Sequence, residues 1–175
     1  MNTNTRAAKI KLVAFDIDGV MTDGGLHYTD DGGELKTFNV QDGLGLKWMQ
    51  RAGFELAIVT GRTSGVVAAR AADLGIEHVY QGVANKRTAV GELLEKLNIQ
   101  WDECAFMGDD LIDLPVMTRC GLAIAPANAR PIVKEYAHTV TYASGGHGAV
   151  REAIELILTA QGKLEAAFAP YLDPQ

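Results

Sequence analysis

The chain has 175 residues, a formal net charge of −6 and nineteen glycines, in a composition that is ordinary for a globular protein. This length predicts one domain over residues 1–175, which would bury about 70% of its unfolded surface without disulfide or metal crosslinks. The negative charge argues against nucleic acid and anionic membranes as partners. A phosphate substrate would need local cations to attract it.

The start of the chain and its cysteines bear on localisation. Residues 1–8 are polar, and no apolar stretch approaches the roughly 18 residues that a membrane span needs. Cys104 and Cys120 lie far apart with no histidine at metal-ligand spacing, which predicts two small core residues. We therefore expect a reducing compartment, with the cytoplasm as the default.

An apolar run, Leu12–Phe15, leads directly into Asp16 and Asp18, and a glycine follows. Such a run predicts a strand buried on both faces, as in a parallel sheet with helices on each side. Ligands of open α/β sheets bind at the carboxyl ends of the strands. Both acids are therefore candidates for the functional end of the molecule.

A polar excursion follows this strand. Two short β-like runs, residues 26–28 and 35–40, flank the sequence Asp30-Asp31-Gly32-Gly33, which is typical of a hairpin turn. We predict a β-hairpin flap over about residues 25–40, beside the carboxyl edge of the sheet. An isolated hairpin is marginally stable in water, so the flap is expected to pack against another surface.

The rest of the chain alternates between strand and helix patterns. Predicted strands cover 54–59, 78–81, 104–107, 121–125 and 139–141; predicted helices cover 44–52, 64–74, 85–97 and 149–160, and two more begin near Pro115 and Pro131. This rhythm predicts an α/β fold with a doubly wound, mostly parallel sheet and no second domain. Residues 162–175 contain two prolines and are predicted to form a loosely held tail.

Polar residues that could take part in catalysis or binding follow three of the predicted strands. They are Asp16 and Asp18 after the first, Thr60 and Gly61 after the second, and Asp109, Asp110 and Asp113 after a later one, with Lys86 opening a helix between them. Each feature alone has a simpler interpretation, as a turn, a helix cap or a solvated lysine. Because the carboxyl ends of parallel strands share one edge, we expect these groups to converge.

Converging carboxylates repel one another, and burial strengthens the repulsion. A hard divalent cation relieves it, and Mg²⁺ typically takes one or two carboxylates together with a substrate phosphate. The candidate ligands are the side chains of Asp16 and Asp109 and the backbone carbonyl of Asp18. The pattern thus predicts a magnesium site.

The same residues suggest phosphoryl transfer through an aspartyl intermediate. Asp16 would attack phosphorus, as carboxylate nucleophiles do. The Thr60 hydroxyl, the Gly61 amide and the Lys86 ammonium would hold the phosphoryl oxygens. Asp18 would protonate the leaving oxygen and then take a proton from the hydrolytic water.

The motif order Asp-x-Asp-Gly-Val (16–20), Thr-Gly-Arg (60–62), Lys86 and Gly-Asp-Asp-x-x-Asp (108–113) resembles the haloacid dehalogenase superfamily of phosphatases. The resemblance implies Asp16 as nucleophile, Asp18 as acid and base, Thr60 and Lys86 on phosphate, Asp109 on Mg²⁺, and Asp113 with Asp110 supporting the ligands from behind. A carboxylate at position 18 is a feature of the superfamily's phosphatases and not of its dehalogenases.

Three longer stretches, residues 38–43, 58–64 and 145–152, resemble the family that hydrolyses 3-deoxy-D-manno-octulosonate 8-phosphate. That resemblance implies a subunit without a cap domain, a homotetramer whose flaps close the neighbouring active sites, and a cytoplasmic step in lipopolysaccharide sugar synthesis. A capless site needs cover because water exclusion strengthens electrostatic stabilisation. The predicted hairpin agrees with this expectation.

Two arginines are candidates for substrate selection. Arg62 and Arg70 follow Thr60 closely enough to meet a sugar carboxylate through bidentate hydrogen bonds. The octulosonate branch resembles this chain in having arginine at position 62, whereas a related branch acting on nine-carbon sugar acid phosphates tends to have glutamate. The alternative for both residues is a surface arginine on a helix, and Arg151 is expected to form only surface ion pairs.

Three other functions remain open at this point. One is a phosphatase of the same superfamily for another sugar acid, such as a nine-carbon sialic-type acid 9-phosphate. Another is a scaffold that has lost catalysis, although every expected catalytic position is filled. The third is a phosphoacceptor receiver domain, in which the phosphorylated acid would follow a later strand and phosphate release would be absent.

Overall fold

A computed structural model describes residues 2–172 of the chain. The strands are β1 Leu12–Phe15, β2 His27–Tyr28, β3 Glu34–Leu35, β4 Glu55–Val59, β5 His78–Tyr80, β6 Cys104–Met107, β7 Leu122–Ala125 and β8 Thr139–Val140. The α-helices are α1 Thr3–Ala7, α2 Val40–Arg51, α3 Gly65–Leu74, α4 Lys86–Leu97, α5 Leu114–Met117, α6 Pro131–Tyr136, α7 Ala149–Ala160 and α8 Leu164–Phe168. Short 3₁₀ turns cover Trp101–Glu103, Leu111–Asp113 and Ala169–Tyr171.

The main sheet has the strand order β5-β4-β1-β6-β7-β8, and every neighbouring pair in it is parallel. β2 and β3 form a separate antiparallel pair. Helices cover both faces of the main sheet, so the predicted doubly wound α/β architecture is confirmed. None of the helices within residues 2–172 is long and apolar enough to cross a membrane.

β1 is an inner strand of the sheet, and its side chains pack into both hydrophobic cores. Val13 and Phe15 point into a core built with α2, α3 and α7, whereas Leu12 and Ala14 point into a second core built with α4, α5 and α6. All four β1 side chains are fully buried. The alternation follows from the two-residue period of a strand, and burial of both faces explains the continuous apolar run.

The strand register brings the polar strand ends together. Phe15 lies opposite Ile58 of β4 and Met107 of β6. The residues that follow these strands therefore begin at nearly the same level of the sheet. The amide of Asp16 donates to the carbonyl of Met107 at 3.0 Å, which extends this alignment by one residue.

Helix α2 begins earlier than the sequence analysis predicted. Val40 was assigned to a β run, but it is the first residue of the helix, whereas the prediction began at residue 44. The Asn39 side chain caps the helix by accepting from the amides of Gln41 and Asp42 at 2.7 and 3.4 Å. Because such a cap satisfies amides left free in the first turn, it favours helix over strand from residue 40 onwards.

The hairpin is correspondingly shorter than predicted. Its strands pair His27 with Leu35 and Tyr28 with Glu34, and the turn between them occupies residues 29–33. The predicted limit near residue 40 is therefore wrong, since residues 36–39 lead from the hairpin into α2. Between β1 and α2 the chain inserts this hairpin and no cap domain.

The tail is also more ordered than predicted. Residues 164–168 form α8, and Tyr171 receives a hydrogen bond from Trp48 Nε1 at 3.4 Å, with the two rings 6.1 Å apart. Lys163 lies 4.5 Å from the centre of the Phe54 ring. These contacts hold the segment against α2 and the following loop, although its prolines favoured a loose tail. Residues 173–175 of the predicted tail lie outside the described part of the chain.

Candidate active site

Asp16, Lys86 and Asp113 form a buried ion-paired group at the carboxyl end of β1. Lys86 Nζ lies 2.8 Å from Asp16 Oδ2 and 2.7 Å from Asp113 Oδ1, and the three residues are 4%, 3% and 0% exposed. Lys86 opens α4, where the Asn85 side chain caps the helix by accepting from Thr88 N. Charged residues are almost never this buried unless they are paired, so the cluster is a built feature.

Asp113 also organises the loop after β6. Its Oδ2 accepts from the backbone amides of Asp109 and Asp110 at 2.9 and 3.2 Å. Gly108 is required here, because a Cβ at that position would collide with the Asp113 carboxylate. Asp113 therefore holds Lys86 on one side and the Asp109 loop on the other.

Asp109 completes what we call the buried cluster: Asp16, Lys86, Asp109 and Asp113. One carboxylate oxygen from each of the three acids lies within 4.8 Å of the other two. Within residues 2–172, Asp109 Oδ1 is buried and finds no hydrogen-bond partner. Gly19 has φ +85°, and a Cβ there would overlap the Asp109 carboxylate, so the turn after Asp18 packs directly on it.

The electrostatics of the cluster fit a divalent cation. Burial, followed by the charge of Asp113, raises the pKa of Asp16 to about 6 although Lys86 opposes the shift. Burial, followed by the charges of Asp113 and Asp16, raises the pKa of Asp109 to about 7. Burial lowers the pKa of Lys86, but Asp16 and Asp113 outweigh it and raise that pKa above its usual value. Lys86 alone thus leaves excess negative charge, and Asp109 has a free oxygen that suits Mg²⁺.

A cavity of about 270 Å³ opens beside the cluster. It is lined by most of the predicted site residues, namely Asp16, Asp18, Thr60, Gly61, Arg62, Asp109 and Asp110. Thr60 is buried at the end of β4, where its amide donates to Tyr80 and its carbonyl accepts from Val83. The backbone of β4 therefore fixes the position of this hydroxyl.

The hairpin contributes three residues that the sequence analysis did not select: Tyr28, Glu34 and Lys36. Arg62 Nη2 donates to Tyr28 Oη at 3.0 Å and to Glu34 Oε1 at 2.8 Å. Lys36 Nζ contacts Asp18 Oδ1 and lies 3.4 Å from Glu34 Oε1. Arg62 Nε lies 3.5 Å from Asp18 Oδ2. We call Asp18, Lys36, Glu34 and Arg62, which alternate in charge around a closed loop, the charge ring.

The other two arginines lie away from the cavity. Arg70 is near the Phe38 ring, 5.7 Å from its centre, and within the described chain it is not among the residues that line the cavity. Arg151 lies over the Trp48 ring at 3.7 Å and pairs with Glu155 at 2.7 Å. Arg62 therefore lines the cavity together with most of the predicted site residues, whereas Arg70 is not among the lining residues of the described chain.

Asn128 was also absent from the predicted site. Its Nδ2 donates to the carbonyl of Gly19 at 2.9 Å, and its Oδ1 accepts from the amide of Gly145 at 2.6 Å. Gly145 has no space for a Cβ, because the Gly19 backbone occupies it. A lone asparagine after β7 offers no sequence signal for this role, but the Gly-Gly-x-Gly motif marks a place where two backbones approach closely.

Comparison with known proteins identifies the family. A model of haloacid dehalogenase-like hydrolases matches residues 69–154. The 3-deoxy-D-manno-octulosonate 8-phosphate phosphatase of Salmonella typhi is 48% identical over 163 residues, which cover 93% of this chain and 87% of that protein. The chain belongs to the haloacid dehalogenase-like hydrolase family.

Solved structures agree with this membership. A 3-deoxy-D-manno-octulosonate 8-phosphate phosphatase from Moraxella catarrhalis, in complex with magnesium, phosphate and the sugar acid, superposes with a TM-score of 0.95 at 43% identity, covering 97% of both chains. The cobalt-bound form of the deoxy-D-mannose-octulosonate 8-phosphate phosphatase from Haemophilus influenzae gives a TM-score of 0.89 at 40% identity, covering 92% of this chain and 94% of that one. This hydrolase therefore shares its whole fold with metal-binding phosphatases.

Proposed function

We propose that this hydrolase cleaves 3-deoxy-D-manno-octulosonate 8-phosphate to the free sugar acid and phosphate, through a phosphorylated aspartate and with Mg²⁺ as cofactor. The observation that carries the proposal is the buried cluster beside an open cavity: a strand-end aspartate meets a buried lysine, and one oxygen of Asp109 has no hydrogen-bond partner among the described residues. The names of the relatives support the same substrate. The charge and the acidic cluster disfavour nucleic acid as a partner.

Asp16 is the nucleophile in this proposal. Its Oδ1 is held by the amide of Ile17 at 2.7 Å and its Oδ2 by Lys86. These contacts fix the carboxylate at the cavity wall and favour its ionised form against the effect of burial on its pKa. Attack on phosphorus breaks the bond to the sugar oxygen and forms Asp16-phosphate, which water then hydrolyses.

Thr60, Gly61 and Lys86 hold the oxygens of the phosphoryl group while it is transferred to Asp16. Thr60 and Gly61 line the cavity, and Lys86 lies directly behind Asp16. A hydroxyl, an amide and an ammonium placed in advance stabilise charge as it shifts onto the phosphoryl oxygens. Because β4 and α4 position these donors, little reorganisation is needed when the substrate reacts.

Asp18 carries the proton. It lies two residues after Asp16 at the same cavity, and one-fifth of its side chain is exposed. It donates to the departing sugar oxygen and later accepts from the water that attacks Asp16-phosphate. A bound Mg²⁺, held by the carboxylates of Asp16 and Asp109 and the carbonyl of Asp18, would supply positive charge for the phosphoryl oxygens, with Asp113 and Asp110 holding the ligand loop.

Substrate selection is assigned to Arg62, with Arg70 as a further candidate. Arg62 reaches the cavity and carries the donor geometry that suits a carboxylate. Arg70 would need an additional surface to meet a sugar, since it lies near Phe38. A nine-carbon sugar acid 9-phosphate has the same carboxylate and a terminal phosphate, so it is the substrate that any assay must exclude.

We propose that the chain is one cytoplasmic domain that works as a homotetramer, with hairpins reaching neighbouring sites. Leu26, Tyr28 and Leu35 on or beside the hairpin are about half exposed or more. Exposed apolar side chains on one protruding element favour an interface. Within residues 2–172, Tyr28, Glu34 and Lys36 make the side-chain contacts between this segment and its own site, so residues 29–33 of the turn remain available to a neighbour.

The decisive experiment is phosphate release from a panel of sugar phosphates, with and without Mg²⁺. The eight-carbon substrate should be hydrolysed with the highest kcat/KM, and chelation should stop turnover. A higher kcat/KM on the nine-carbon acid phosphate would show that this compound, and not the eight-carbon one, is the preferred substrate. A stable phosphoprotein without phosphate release would indicate a receiver domain.

Asp16→Asn tests the nucleophile against a matched control, Asp73→Asn on the exposed face of α3. The first variant should fold and lose turnover, while the control should retain it. Turnover like that of the wild type in Asp16→Asn would contradict the nucleophile assignment. Sedimentation of a fully active monomer would contradict the proposed assembly.

A further inference from the structure

Lys36 is an unusual residue for the base of an exposed hairpin. Its side chain is 1% exposed, whereas Arg62, the other cation of the charge ring, is 42% exposed. A lysine side chain is almost never fully buried unless it is paired, because its ammonium loses its hydration on burial. The fold therefore places this ammonium deliberately, and the partners it meets are Asp18 and Glu34.

The two cations of the ring are not equivalent at Asp18. Lys36 meets Asp18 Oδ1 at hydrogen-bond distance, while Arg62 Nε stays 3.5 Å from Oδ2. The hydrogen bonds of Arg62 Nη2 go to Tyr28 and Glu34. Lys36 is therefore the group that fixes Oδ1 of Asp18. The other oxygen, Oδ2, is held less tightly, because its neighbour Arg62 Nε lies farther away.

We propose that Lys36 is a positioning residue for proton transfer: its ammonium orients the Asp18 carboxyl group toward the leaving oxygen of the substrate. This inference rests on the proposed phosphatase function. Lys36 acts through Asp18 and makes no bond to the reacting phosphorus. Glu34 lies between Lys36 and Arg62 and contacts both cations.

The physical reason is that a short carboxylic acid rotates freely about its side-chain bonds. General acid catalysis is worth about 10²–10⁴-fold, and it requires the acid within hydrogen-bond reach of the departing oxygen. A displacement of about 1 Å can cost roughly 10²-fold. A buried ammonium attached to the hairpin prevents that rotation, so the hairpin contributes to catalysis in its own subunit.

The test uses substrates that differ in their need for a proton. Aryl phosphates with increasingly basic leaving groups lack the sugar, so they report proton donation without sugar contacts. In a two-step reaction kcat/KM reports the first step, in which the leaving group departs. We expect Lys36→Met to reduce kcat/KM about tenfold to a hundredfold on the sugar phosphate and the most basic aryl phosphates, and little on p-nitrophenyl phosphate.

The dependence of kcat/KM on leaving-group basicity should therefore steepen in Lys36→Met and return toward the wild type in Lys36→Arg. Lys96→Met, on the exposed face of α4, is the matched control. An unchanged slope in Lys36→Met, with loss on the sugar phosphate alone, would assign Lys36 to sugar binding and overturn the proposal. An equal loss on all substrates would also overturn it.

The slope is a ratio within one variant, so it does not depend on how much of the preparation is folded. It also separates the two proposals, because wild-type protein that hydrolyses no phosphomonoester would remove the proposed function itself. Finally, Lys36→Met protomers mixed with Asp16→Asn protomers should regain no activity, because each Lys36 serves its own Asp18. Restored activity would show that Lys36 acts on a neighbour and would overturn the assignment.

Discussion

The buried cluster and the charge ring both contribute residues to the lining of one cavity, and they are built differently. The cluster stands on β1, α4 and the loop after β6, and three of its four members are at most 4% exposed. The ring joins the cavity to a two-stranded hairpin whose strands have only two residues each. The positions of the buried cluster are therefore fixed by the packed core, whereas those of the charge ring depend on contacts between side chains.

This difference separates two tasks of the site. Charges held inside the core cannot move when the substrate arrives, which suits the stabilisation of a transferring phosphoryl group. The charges of the ring are held by side-chain contacts to the hairpin and the residue after it, which suits the selection of a sugar and the positioning of Asp18 beside the leaving group. Changes in the buried cluster should therefore reduce kcat, and changes in the charge ring should act mainly on KM or on leaving-group dependence.

The largest effect is expected from Lys86→Met. It removes the cation from two buried carboxylates, and breaking a buried pair costs about 3–5 kcal/mol of unfolding free energy. It also removes a phosphate donor, so kcat should fall about 10²–10³-fold or more. Thermal unfolding and phosphate release measure the two effects, with Lys96→Met as control. A variant with wild-type kcat would show that Lys86 only neutralises the acids.

The buried cluster was largely predictable because two of its members, Asp16 and Asp109, follow strands that the hydrophobic pattern predicts. Asp16, Thr60 and Asp109 come directly after, or one residue after, buried strands, and parallel strands must end at one edge. The sequence also favoured Lys86 through its place at a helix start. For these residues local sequence and topology together determine the location.

The charge ring was not predictable in the same way. Tyr28 and Glu34 lie on the hairpin and Lys36 directly follows it, and the turn signal that predicts a hairpin does not say which of its side chains meet Asp18 and Arg62. Asn39 was a missed helix cap, which moved the predicted end of the flap. Arg70 was placed by its distance along the chain from Thr60, but its direction on α3 depends on packing near Phe38.

A second prediction compares two glycines with the same backbone strain. Gly19 has φ +85° beside Asp109, and Gly32 has φ +84° in the open hairpin turn. Alanine at either position should cost about 1–2 kcal/mol of stability through the left-handed backbone. Only Gly19→Ala should also raise the Mg²⁺ concentration for half-maximal activity, roughly tenfold, since it displaces a ligand. Equal magnesium dependence in both variants would refute contact with the metal site.

A third prediction concerns pH and metal together. The pKa values of Asp16 and Asp109 rise on folding from 3.8 to about 6 and about 7. The metal-free folded protein therefore binds more protons than the unfolded chain, and this stabilisation is lost as pH rises through about 6–7. Without Mg²⁺, the difference in Tm between the wild type and Asp109→Asn should change by about several degrees from pH 5 to pH 8, with the wild type losing stability relative to the variant.

Magnesium should reverse that trend, because its ligands must be deprotonated. The rise in Tm on adding Mg²⁺ should be larger at pH 8 than at pH 5 and small in Asp109→Asn. Differential scanning calorimetry measures all of these values. A Tm increase that is independent of pH would place the metal away from the three carboxylates.

The smallest effect is expected from Tyr28→Phe, which tests the side of the cavity formed by the hairpin. The change removes one hydrogen bond, of 3.0 Å, from Arg62 Nη2, while Glu34 still holds the guanidinium. A single hydrogen bond contributes about 0.5–1.5 kcal/mol, so KM should rise about two- to tenfold with kcat nearly unchanged. Tyr142→Phe, whose side chain lies in solvent, is the control. A fall in kcat of the size expected for Lys86→Met would contradict this division. It would show that the hairpin and the core act as one catalytic unit, because the Tyr28 contact would then affect the rate of phosphoryl transfer.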